Sequence, residues 1–264
     1  MKIAAIQMIS SADIESNLLH AAQLLQQAKQ RGAELILMPE YWPLMGMQDT
    51  DKIAAAEPLG SGKMQSFLAN QAKQLGVYLI GGTLPLISGE PEKVLNTTLV
   101  FNPAGQQIAR YDKIHLFGFT KGDESYQESK TITPGKQVVS FEADFGRVGL
   151  SVCYDLRFPE MYRAMGSCAL IVVPAAFTYT TGQAHWEILL RARAIENQCY
   201  VLASAQGGVH QNGRRTWGHS MLIDPWGKII DVLPEGEGVV AGEIDLQALA
   251  AIRDSLPALK HRTM

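Results

Sequence analysis

One cysteine of this sequence lies where a catalytic nucleophile is usually found. Cys153 follows a run rich in valine and leucine at 148–152, which predicts a buried strand, and precedes a break at 154–159 that begins a helix. At such a turn a thiol projects into open space, where the next backbone N–H groups can stabilise a thiolate and an oxyanion. A lone cysteine is more often a small buried residue, and this interpretation suits Cys168 and Cys199, which lie in apolar segments.

A glutamate also ends a segment that should be buried. Glu40 follows Leu-Ile-Leu-Met-Pro at 35–39, a run typical of a strand that is covered on both faces. At the carboxyl edge of a mixed sheet it can lie in the crevice where such sheets bind ligands, partly desolvated and able to transfer protons near neutral pH. An ordinary loop carboxylate at a strand end fits the same pattern.

The third candidate is a lysine in an apolar setting. Lys113 follows the strand-like run at 108–111 and precedes Ile-His-Leu-Phe at 114–117. An ammonium there needs an anion, so it could pair with Glu40 and then stabilise the negative oxygen of a tetrahedral intermediate. Taken alone, a surface lysine with a buried aliphatic stem is the commoner explanation.

Strands and helices alternate along the whole chain. No linker or composition shift divides it, so we predict a single domain over 1–264, of the α/β class, with mixed sheets packed between helices. Turns are predicted at 102–105 and 224–227. Strands are predicted at 2–8, 34–39, 77–84, 95–101, 107–111, 138–141, 147–153, 170–174, 200–205, 220–223, 228–232 and 239–244. Helices are predicted between Asp13 and Gly32 with Leu18, Ala22, Leu25 and Ala28 inward, at about 62–75, from Pro159, at about 183–197 and from Leu246.

Composition limits the possible partners. The chain has 264 residues, of which 47% are hydrophobic, so a sizeable core is expected. Its net charge of −3 comes from scattered acids and bases, which excludes a basic stripe for nucleic acid or a membrane surface and favours small molecules. No apolar run approaches the roughly twenty residues of a membrane span. Three widely spaced cysteines suggest reduced thiols, and we predict a cytoplasmic protein.

Several other catalytic signatures are absent or misleading. Gly-Ser-Gly-Lys at 60–63 is close to a phosphate-binding loop, but Met64 replaces the required serine or threonine. The sequence contains neither Gly-x-Ser-x-Gly nor His-Glu-x-x-His. We therefore predict no metal and no cofactor. Four scattered histidines could still meet in space, although each is more often structural: His115, His185, His210 and His219.

Three segments resemble the catalytic blocks of the nitrilase superfamily. They are Leu-Met-Pro-Glu at 37–40, Tyr-Asp-Lys-Ile-His-Leu at 111–116, and the segment 149–160 around the cysteine, in the family's order and spacing. The resemblance continues from 2 to 261, including Ile-Gln-Met at 6–8, His-Trp-Glu at 185–187, the segment 191–196 and the segment 218–227.

This resemblance implies a fold and a set of roles. The expected fold is a four-layer α-β-β-α sandwich, which usually pairs through helices into an eight-layer dimer, so a homodimer or higher homo-oligomer is expected. Carried over residue by residue, Glu40 is the proton acceptor, Lys113 the oxyanion stabiliser and proton donor, and Cys153 the nucleophile. Glu128 matches a second glutamate that supports the lysine, although its polar loop context alone would not identify it.

The residues after the cysteine indicate a branch of the family. Tyr-Asp at 154–155 is similar to the amidase-like Nit branch, whereas true nitrilases commonly have Trp-Glu there. The cysteine block and the segments 205–208 and 219–220 are most similar to amidases that act on deaminated glutathione, with omega-amidases acting on 2-oxoglutaramate or 2-oxosuccinamate as the alternative. The stretch 118–126 departs from the expected pattern, and it should border the entrance of the site.

We therefore predict hydrolysis of a small-molecule amide through a cysteine thioester. An acidic substrate would require cations, so Tyr154 and Arg157 are assigned to substrate binding, and Arg214 and Arg215 are candidates by charge. Other interpretations remain open. They are a carbamoyl hydrolase, an N-acyltransferase, a lyase forming a Schiff base at Lys113, and a binding protein that retains the fold.

Overall fold

Two β-sheets lie face to face at the centre of the molecule, and helices cover their outer surfaces. The computed structural model describes residues 1–122 and 124–263. The described strands are β1 (Lys2–Gln7), β2 (Leu35–Leu37), β3 (Tyr78–Ile80), β4 (Leu84–Ile87), β5 (Val94–Phe101), β6 (Gln107–Asp112), β7 (Gly118–Lys121), β8 (Glu124–Gln127), β9 (Ser140–Ala143), β10 (Gly146–Leu150), β11 (Leu170–Ala175), β12 (Tyr200–Ala205), β13 (Ser220–Ile223), β14 (Ile229–Leu233) and β15 (Gly238–Glu243). The described α-helices are α1 (Ile14–Gln30), α2 (Asp51–Ala54), α3 (Lys63–Leu75), α4 (Pro159–Ala164), α5 (Tyr179–Asn197) and α6 (Leu246–Ser255).

The first sheet has seven strands in the order β15-β1-β2-β3-β5-β4, with β6 also paired to β5. The second has six, in the order β14-β13-β12-β11-β10-β9, and β7 pairs with β8 in a separate hairpin. Strand β1 shows how the layers form. Because successive side chains alternate between faces, Ile3 and Ala5 join the core between the sheets, while Ala4 and Ile6 join the core under α1 and α3. Helix α5 covers the second sheet through Trp186. The predicted four-layer sandwich is confirmed.

The carboxyl ends of the central strands meet at one edge of the sandwich. Strands β1, β2 and β3 are parallel to one another, and so are β10, β11 and β12. Met8, just after β1, bridges Gln206, just after β12, in the parallel sense, so both sheets run the same way. Glu40 follows β2, Lys113 follows β6 and Cys153 follows β10. The topology therefore directs all three predicted residues to a common edge.

The predicted amino-terminal helix forms with the expected cap. Asp13 precedes α1, and its Oδ1 accepts a hydrogen bond from the Ser16 N–H at 2.7 Å. The buried face of this helix is centred on Ala21, whereas Ala22, which we predicted to face inward, is only partly buried. No helix within the described residues is long and apolar enough to cross a membrane.

Several predicted element boundaries were wrong. The predicted strand at 77–84 is two strands, β3 and β4, because Gly81 and Gly82 turn the chain between them. Gly82 has φ +55°, and a Cβ there would lie 2.0 Å from the Pro39 carbonyl oxygen, so only glycine fits this turn. The strand predicted at 138–141 begins at Ser140, and the one predicted at 147–153 ends at Leu150. Helix α2 and the hairpin β7–β8 were not predicted.

Candidate active site

Glu40 is a buried carboxylate held by three donors. Its side chain is 1% exposed. Oε1 accepts hydrogen bonds from Lys113 Nζ and Asn96 Nδ2, both at 2.9 Å, and Oε2 accepts from the Ala176 N–H at 2.8 Å. These bonds come from the segments after β6 and β11 and from β5 itself, so the carboxylate joins the two sheets. Such contacts fix the orientation of the carboxylate.

Lys113 lies between two carboxylates. Its Nζ donates to Glu40 at 2.9 Å and to both oxygens of Glu128, at 2.9 and 2.8 Å. Burial alone would lower the pKa of this fully enclosed ammonium, but the negative charges of Glu128 and Glu40 raise the pKa well above its usual value. Lys113 is therefore a permanent cation, which suits stabilisation of negative charge and not nucleophilic attack.

Glu128 contacts the lysine as the resemblance implied. Besides Lys113, its carboxylate accepts hydrogen bonds from the Tyr41 hydroxyl at 2.9 Å and from the Phe117 N–H at 2.7 Å. Burial opposes ionisation, but the Lys113 charge and these hydrogen bonds lower the pKa of Glu128 below its usual value. The cluster thus contains two buried carboxylates around one buried ammonium.

Cys153 begins a tight 3₁₀ turn (Cys153–Arg157) and has an unusual backbone conformation. Its φ is +48°, and that of Tyr41, next to Glu40, is +56°. Non-glycine residues adopt such values at a cost, and this strain is concentrated at functional sites. Burial raises the pKa of the Cys153 thiol, and the nearby negative charge of Glu40 raises it further. The resting residue is consequently a neutral thiol beside a carboxylate.

Asp155 holds the turn that begins at Cys153 in place. Its Oδ2 accepts from the Val152 N–H at 2.8 Å and from the Tyr111 hydroxyl at 2.6 Å, and its Oδ1 accepts from the His115 N–H at 3.1 Å. The carboxylate is fully buried. We had not singled out Asp155 or Asn96 from the sequence. The available signal was a polar residue within a buried run, which many structural residues share.

Tyr154 lines the cleft next to Cys153, whereas the predicted cation Arg157 does not line it. The Arg157 guanidinium packs over the rings of Tyr154 and Phe177, 5.9 and 5.5 Å from their centres, and its Nη2 is 3.3 Å from His185 Nδ1. Arg214, in contrast, borders the cleft beside Cys153.

The other candidate residues are separated from the cluster. Arg215 points away and stacks 3.6 Å from the ring centre of Tyr179. Cys168 and Cys199 are buried free thiols, as predicted. The four histidines have separate partners, namely Asp155 for His115, Arg157 for His185, Thr216 for His210 and the Trp217 ring for His219.

Two spaces that share Arg214 as a wall lie near the cluster, and one of them is lined by Cys153. We call them the inner cleft and the outer cavity. The inner cleft has a free volume of about 10 Å³, which is room for roughly one water molecule. The outer cavity is open and has a volume of about 440 Å³. The inner cleft is lined by Phe117, Glu128, Cys153, Tyr154, Ala176, Phe177, Thr178, Thr181 and Arg214. The outer cavity is lined by Tyr41, Leu44, Met45, Gly46, Met47, Gln48, Asp49, Lys52, Ser125, Tyr126, Asn212, Gly213 and Arg214.

The stretch 118–126 forms most of the hairpin β7–β8 beside these spaces. Ser125 and Tyr126 line the outer cavity, and the Phe119 and Tyr126 rings pack on Phe117. The hairpin therefore borders the approach to the cysteine, as the sequence suggested. Asp123, which belongs to this stretch, lies outside the described residues.

Comparison with known proteins identifies the family. A family model described as carbon-nitrogen hydrolase matches residues 2–254. The chain belongs to the carbon-nitrogen hydrolase family. Its fold agrees with that of another member of the nitrilase superfamily, Nit3 from Saccharomyces cerevisiae, with a TM-score of 0.86 and 30% identity over 97% of this chain and 94% of that one.

Two relatives of this carbon-nitrogen hydrolase have named amidase activities. It is 41% identical over 265 residues to the deaminated glutathione amidase of Synechocystis sp., covering 98% of this chain and 97% of that protein. It is 36% identical over 265 residues to the omega-amidase NIT2 of Homo sapiens, covering 99% of this chain and 94% of that protein. Hydrolysis of amide carbon-nitrogen bonds is the activity common to both.

Proposed function

We propose that this carbon-nitrogen hydrolase cleaves a small acidic amide of the deaminated glutathione type, with Cys153 as nucleophile, Glu40 as base and Lys113 as oxyanion stabiliser. The observation that carries the proposal is the buried cluster in which a neutral thiol lies close to an ion pair between a carboxylate and an ammonium, at one edge of the sandwich. A lyase acting through a Schiff base at Lys113 is disfavoured, because an amine must be neutral to attack a carbonyl and this one is held protonated by two carboxylates.

The first half of the reaction forms a thioester. The Cys153 thiol gives its proton to Glu40 as the sulfur attacks the amide carbonyl, and the Lys113 ammonium with the Tyr154 N–H stabilises the resulting oxyanion. The carbon-nitrogen bond then breaks while Glu40 returns the proton to the leaving amine. An acyl-enzyme and a free amine result.

The second half releases the acid. A water molecule loses a proton to Glu40 and attacks the thioester, again with Lys113 opposite the developing negative charge. Collapse of this intermediate expels the sulfur, which recovers the proton from Glu40. The products are a carboxylic acid and the resting thiol. Glu128 supports this sequence by keeping the lysine charged and oriented.

Tyr154 and Arg157 are proposed to contact the acyl part of the substrate. Tyr154 lines the inner cleft, and the Arg157 guanidinium lies on Tyr154 and Phe177, two walls of that cleft. The cleft is narrow, so binding an acyl chain requires these side chains to shift. If Arg157→Ala leaves KM unchanged for an amide derived from a dicarboxylic acid, this assignment is wrong.

A substrate panel tests the proposed reaction. Deaminated glutathione, 2-oxoglutaramate, an N-carbamoyl amino acid and a simple nitrile are incubated with the enzyme, and the products are identified by mass. Cleavage of deaminated glutathione is expected to be fastest. Cys153→Ala and Glu40→Gln are each expected to lower turnover by at least about 10²-fold, since general acid-base catalysis typically contributes that much. Cys168→Ala, a buried thiol away from the cluster, is the matched control and is expected to retain activity.

An omega-amidase activity is the second candidate, supported by the similarity to human NIT2. Faster release of ammonia from 2-oxoglutaramate than of amine from deaminated glutathione would favour it. A carbamoyl hydrolase would instead release carbon dioxide and ammonia from the carbamoyl amino acid. An N-acyltransferase would give acylated amine in place of free acid.

The proposal extends to assembly and location. A homodimer is supported by apolar residues of α5 that face outward, with Ile188 70% and Ile195 51% exposed, near the exposed Trp226. Light scattering should then give a mass twice the 28.9 kDa of the chain.

A cytoplasmic location is supported by three cysteines that are all free thiols in the described structure.

A further inference from the structure

The outer cavity contains more positive than negative charge. Three charged residues line it, namely Lys52, Arg214 and Asp49. The Asp49 carboxylate lies 3.7 Å from Lys52 Nζ but is 78% exposed, so solvent screens it and it is a weak partner. The chain as a whole carries a charge of −3, and the excess of cations is therefore local to this cavity.

Arg214 is only partly satisfied where it lies. Its Nη2 donates to the Ala176 carbonyl at 2.9 Å, and its guanidinium packs 5.2 Å from the ring centre of Tyr126. Its Nε is buried without a hydrogen-bond partner among the described residues, and no carboxylate in that part of the chain forms an ion pair with it. The guanidinium that lines the cavity therefore lacks a counter-ion among the described residues, and an anionic ligand in the cavity would supply one.

Lys52 is the second cation of this cavity. Only 15% of its side chain is exposed, and its Nζ lies 3.3 Å from the Thr131 hydroxyl and 5.5 Å from the ring centre of Tyr41. Burial lowers the pKa of Lys52, the negative charges of Asp49 and Glu128 oppose this shift, and the positive charge of Arg214 lowers the pKa further. Two cations that disfavour each other in a half-buried space form a site for an anion.

The outer cavity is linked to Glu40 through two of its lining residues, Tyr41 and Arg214. In the proposed mechanism Glu40 protonates the departing amine, and the next residue, Tyr41, lines the outer cavity. Arg214 borders both spaces and is linked to Glu40 through one residue, since the Ala176 carbonyl accepts from Arg214 and the Ala176 N–H donates to Glu40. The inner cleft is too small for the bulk of a substrate, whereas 440 Å³ lies within the usual range of small-molecule pockets.

We propose that the outer cavity binds the amine half of an extended amide substrate, an amino acid or short peptide whose free carboxylate is held by Arg214 and Lys52. This assignment rests on the proposed amidase function and adds the two residues that hold the carboxylate of the leaving amine. It also makes the two cations specificity-determining residues, because an amide that releases only ammonia would leave this cavity unused.

A pair of matched substrates isolates the carboxylate. Both have the same acyl group and the same dipeptide amine, but one ends in a free carboxylate and the other in a carboxamide. The measured quantity is the ratio of kcat/KM for the acid to that for the carboxamide. Because both values come from one enzyme, general damage to the active site cancels. The expected wild-type ratio is at least about tenfold, equivalent to ~1.4 kcal/mol.

Substitutions of Arg214 and Lys52 test whether these residues cause the preference for the acid substrate. Arg214→Gln and Lys52→Gln are each expected to move the ratio toward one, and Arg214→Lys, which keeps the charge, should retain part of it. Arg215→Gln is the matched control, because that arginine is adjacent in sequence but faces Glu235 and Tyr179 outside the cavity. Its ratio should equal that of the wild type.

Binding without turnover gives an independent readout. Cys153→Ala is titrated calorimetrically with the two dipeptide amides, and tighter binding of the acid is expected, with loss of this preference when Arg214→Gln is added. A wild-type ratio near one, or a ratio that neither variant alters, would overturn the inference while amide hydrolysis itself still supported the proposed function. Absence of hydrolysis for every amide, including a primary amide, would overturn both.

Discussion

Removal of the buried ammonium should destabilise the fold and abolish activity. In Lys113→Met the side chain keeps a similar length and loses its charge. Glu40 and Glu128, which both accept hydrogen bonds from Nζ, would then face each other in a buried space without a cation. Breaking a buried ion pair by removal of one partner typically costs about 3–5 kcal/mol, because the remaining charge is left uncompensated.

A second substitution should recover part of this loss. In Lys113→Met with Glu128→Gln only one carboxylate remains, and Glu40 retains its bonds from Asn96 and Ala176. The double variant should therefore be more stable than the single variant by at least about 1 kcal/mol, a coupling typical of contacting residues. Neither variant is expected to have measurable amidase activity, since both lack the oxyanion stabiliser.

The destabilisation should also depend on pH. In the wild type the pKa of Glu128 is lowered by folding. Its ionised form therefore stabilises the folded state at pH values above the pKa of the unfolded chain, about 4.3, and this stabilisation is lost only as the pH falls through the lower pKa of the folded state. The pKa of Lys113 is raised by folding. Its charge therefore stabilises the folded state at every pH below the pKa of the unfolded chain, about 10.4, and this stabilisation is lost as the pH rises through the higher pKa of the folded state. In the variant, Glu128 stays buried without the cation, so its pKa rises. The variant should therefore regain stability as the pH falls from about 8 to about 5.5, whereas the wild type should not.

Urea denaturation at both pH values measures these effects. Lys63→Met is the matched control, because Lys63 pairs with Glu15 at the surface and its loss should cost less than about 1 kcal/mol. A loss below about 1 kcal/mol for Lys113→Met, or the same loss at both pH values, would refute the charge balance described for the cluster.

Two further predictions concern the backbone around the site. Asp155→Asn places an amide among N–H and O–H donors, so it should lower stability by about 2–4 kcal/mol and reduce kcat more than it raises KM, measured by denaturation and steady-state kinetics. An unchanged kcat would show that Asp155 does not position the nucleophile. Gly82→Ala should lose at least about 2 kcal/mol because its Cβ would meet the Pro39 carbonyl, whereas Gly60→Ala, with a similar positive φ but open space, should lose less. Equal losses would exclude the clash as the cause.

Most strands and the long helices could be predicted from the sequence. Strands such as β2 and β11 are covered on both faces, and they therefore appear as short, continuous apolar runs between turn residues. The break between β3 and β4 was not predictable from such runs, because it depends on the close approach of Gly82 to Pro39. The hairpin β7–β8 was missed since its exposed strands lack an alternating apolar pattern.

The sequence predicted those residues of the candidate site that directly follow strands. Glu40, Lys113 and Cys153 each follow a strand, and strand ends of parallel elements share an edge. Glu128 was found through the resemblance alone, because a glutamate in a polar loop gives no local signal that it reaches Lys113. Asp155 would have required knowledge of the hydrogen bonds it makes.

The choice between candidate cations could not be made from charge. Arg157, Arg214 and Arg215 all lie near recognisable blocks of the sequence. Only the path of the loop after β12 places Arg214 at the cleft and turns the adjacent Arg215 toward Tyr179. Loop paths depend on contacts between distant segments, here with Ala176 and Tyr126, and these contacts leave no local pattern in the sequence.

The most direct test of the central claim is the intact mass of the enzyme quenched with acid during turnover of an amide. The account predicts that the wild type carries the mass of the acyl group, located by peptide mapping on Cys153, and that Cys153→Ala carries none. Turnover by the Cys153→Ala variant, or an adduct on Lys113 that borohydride traps, would contradict it.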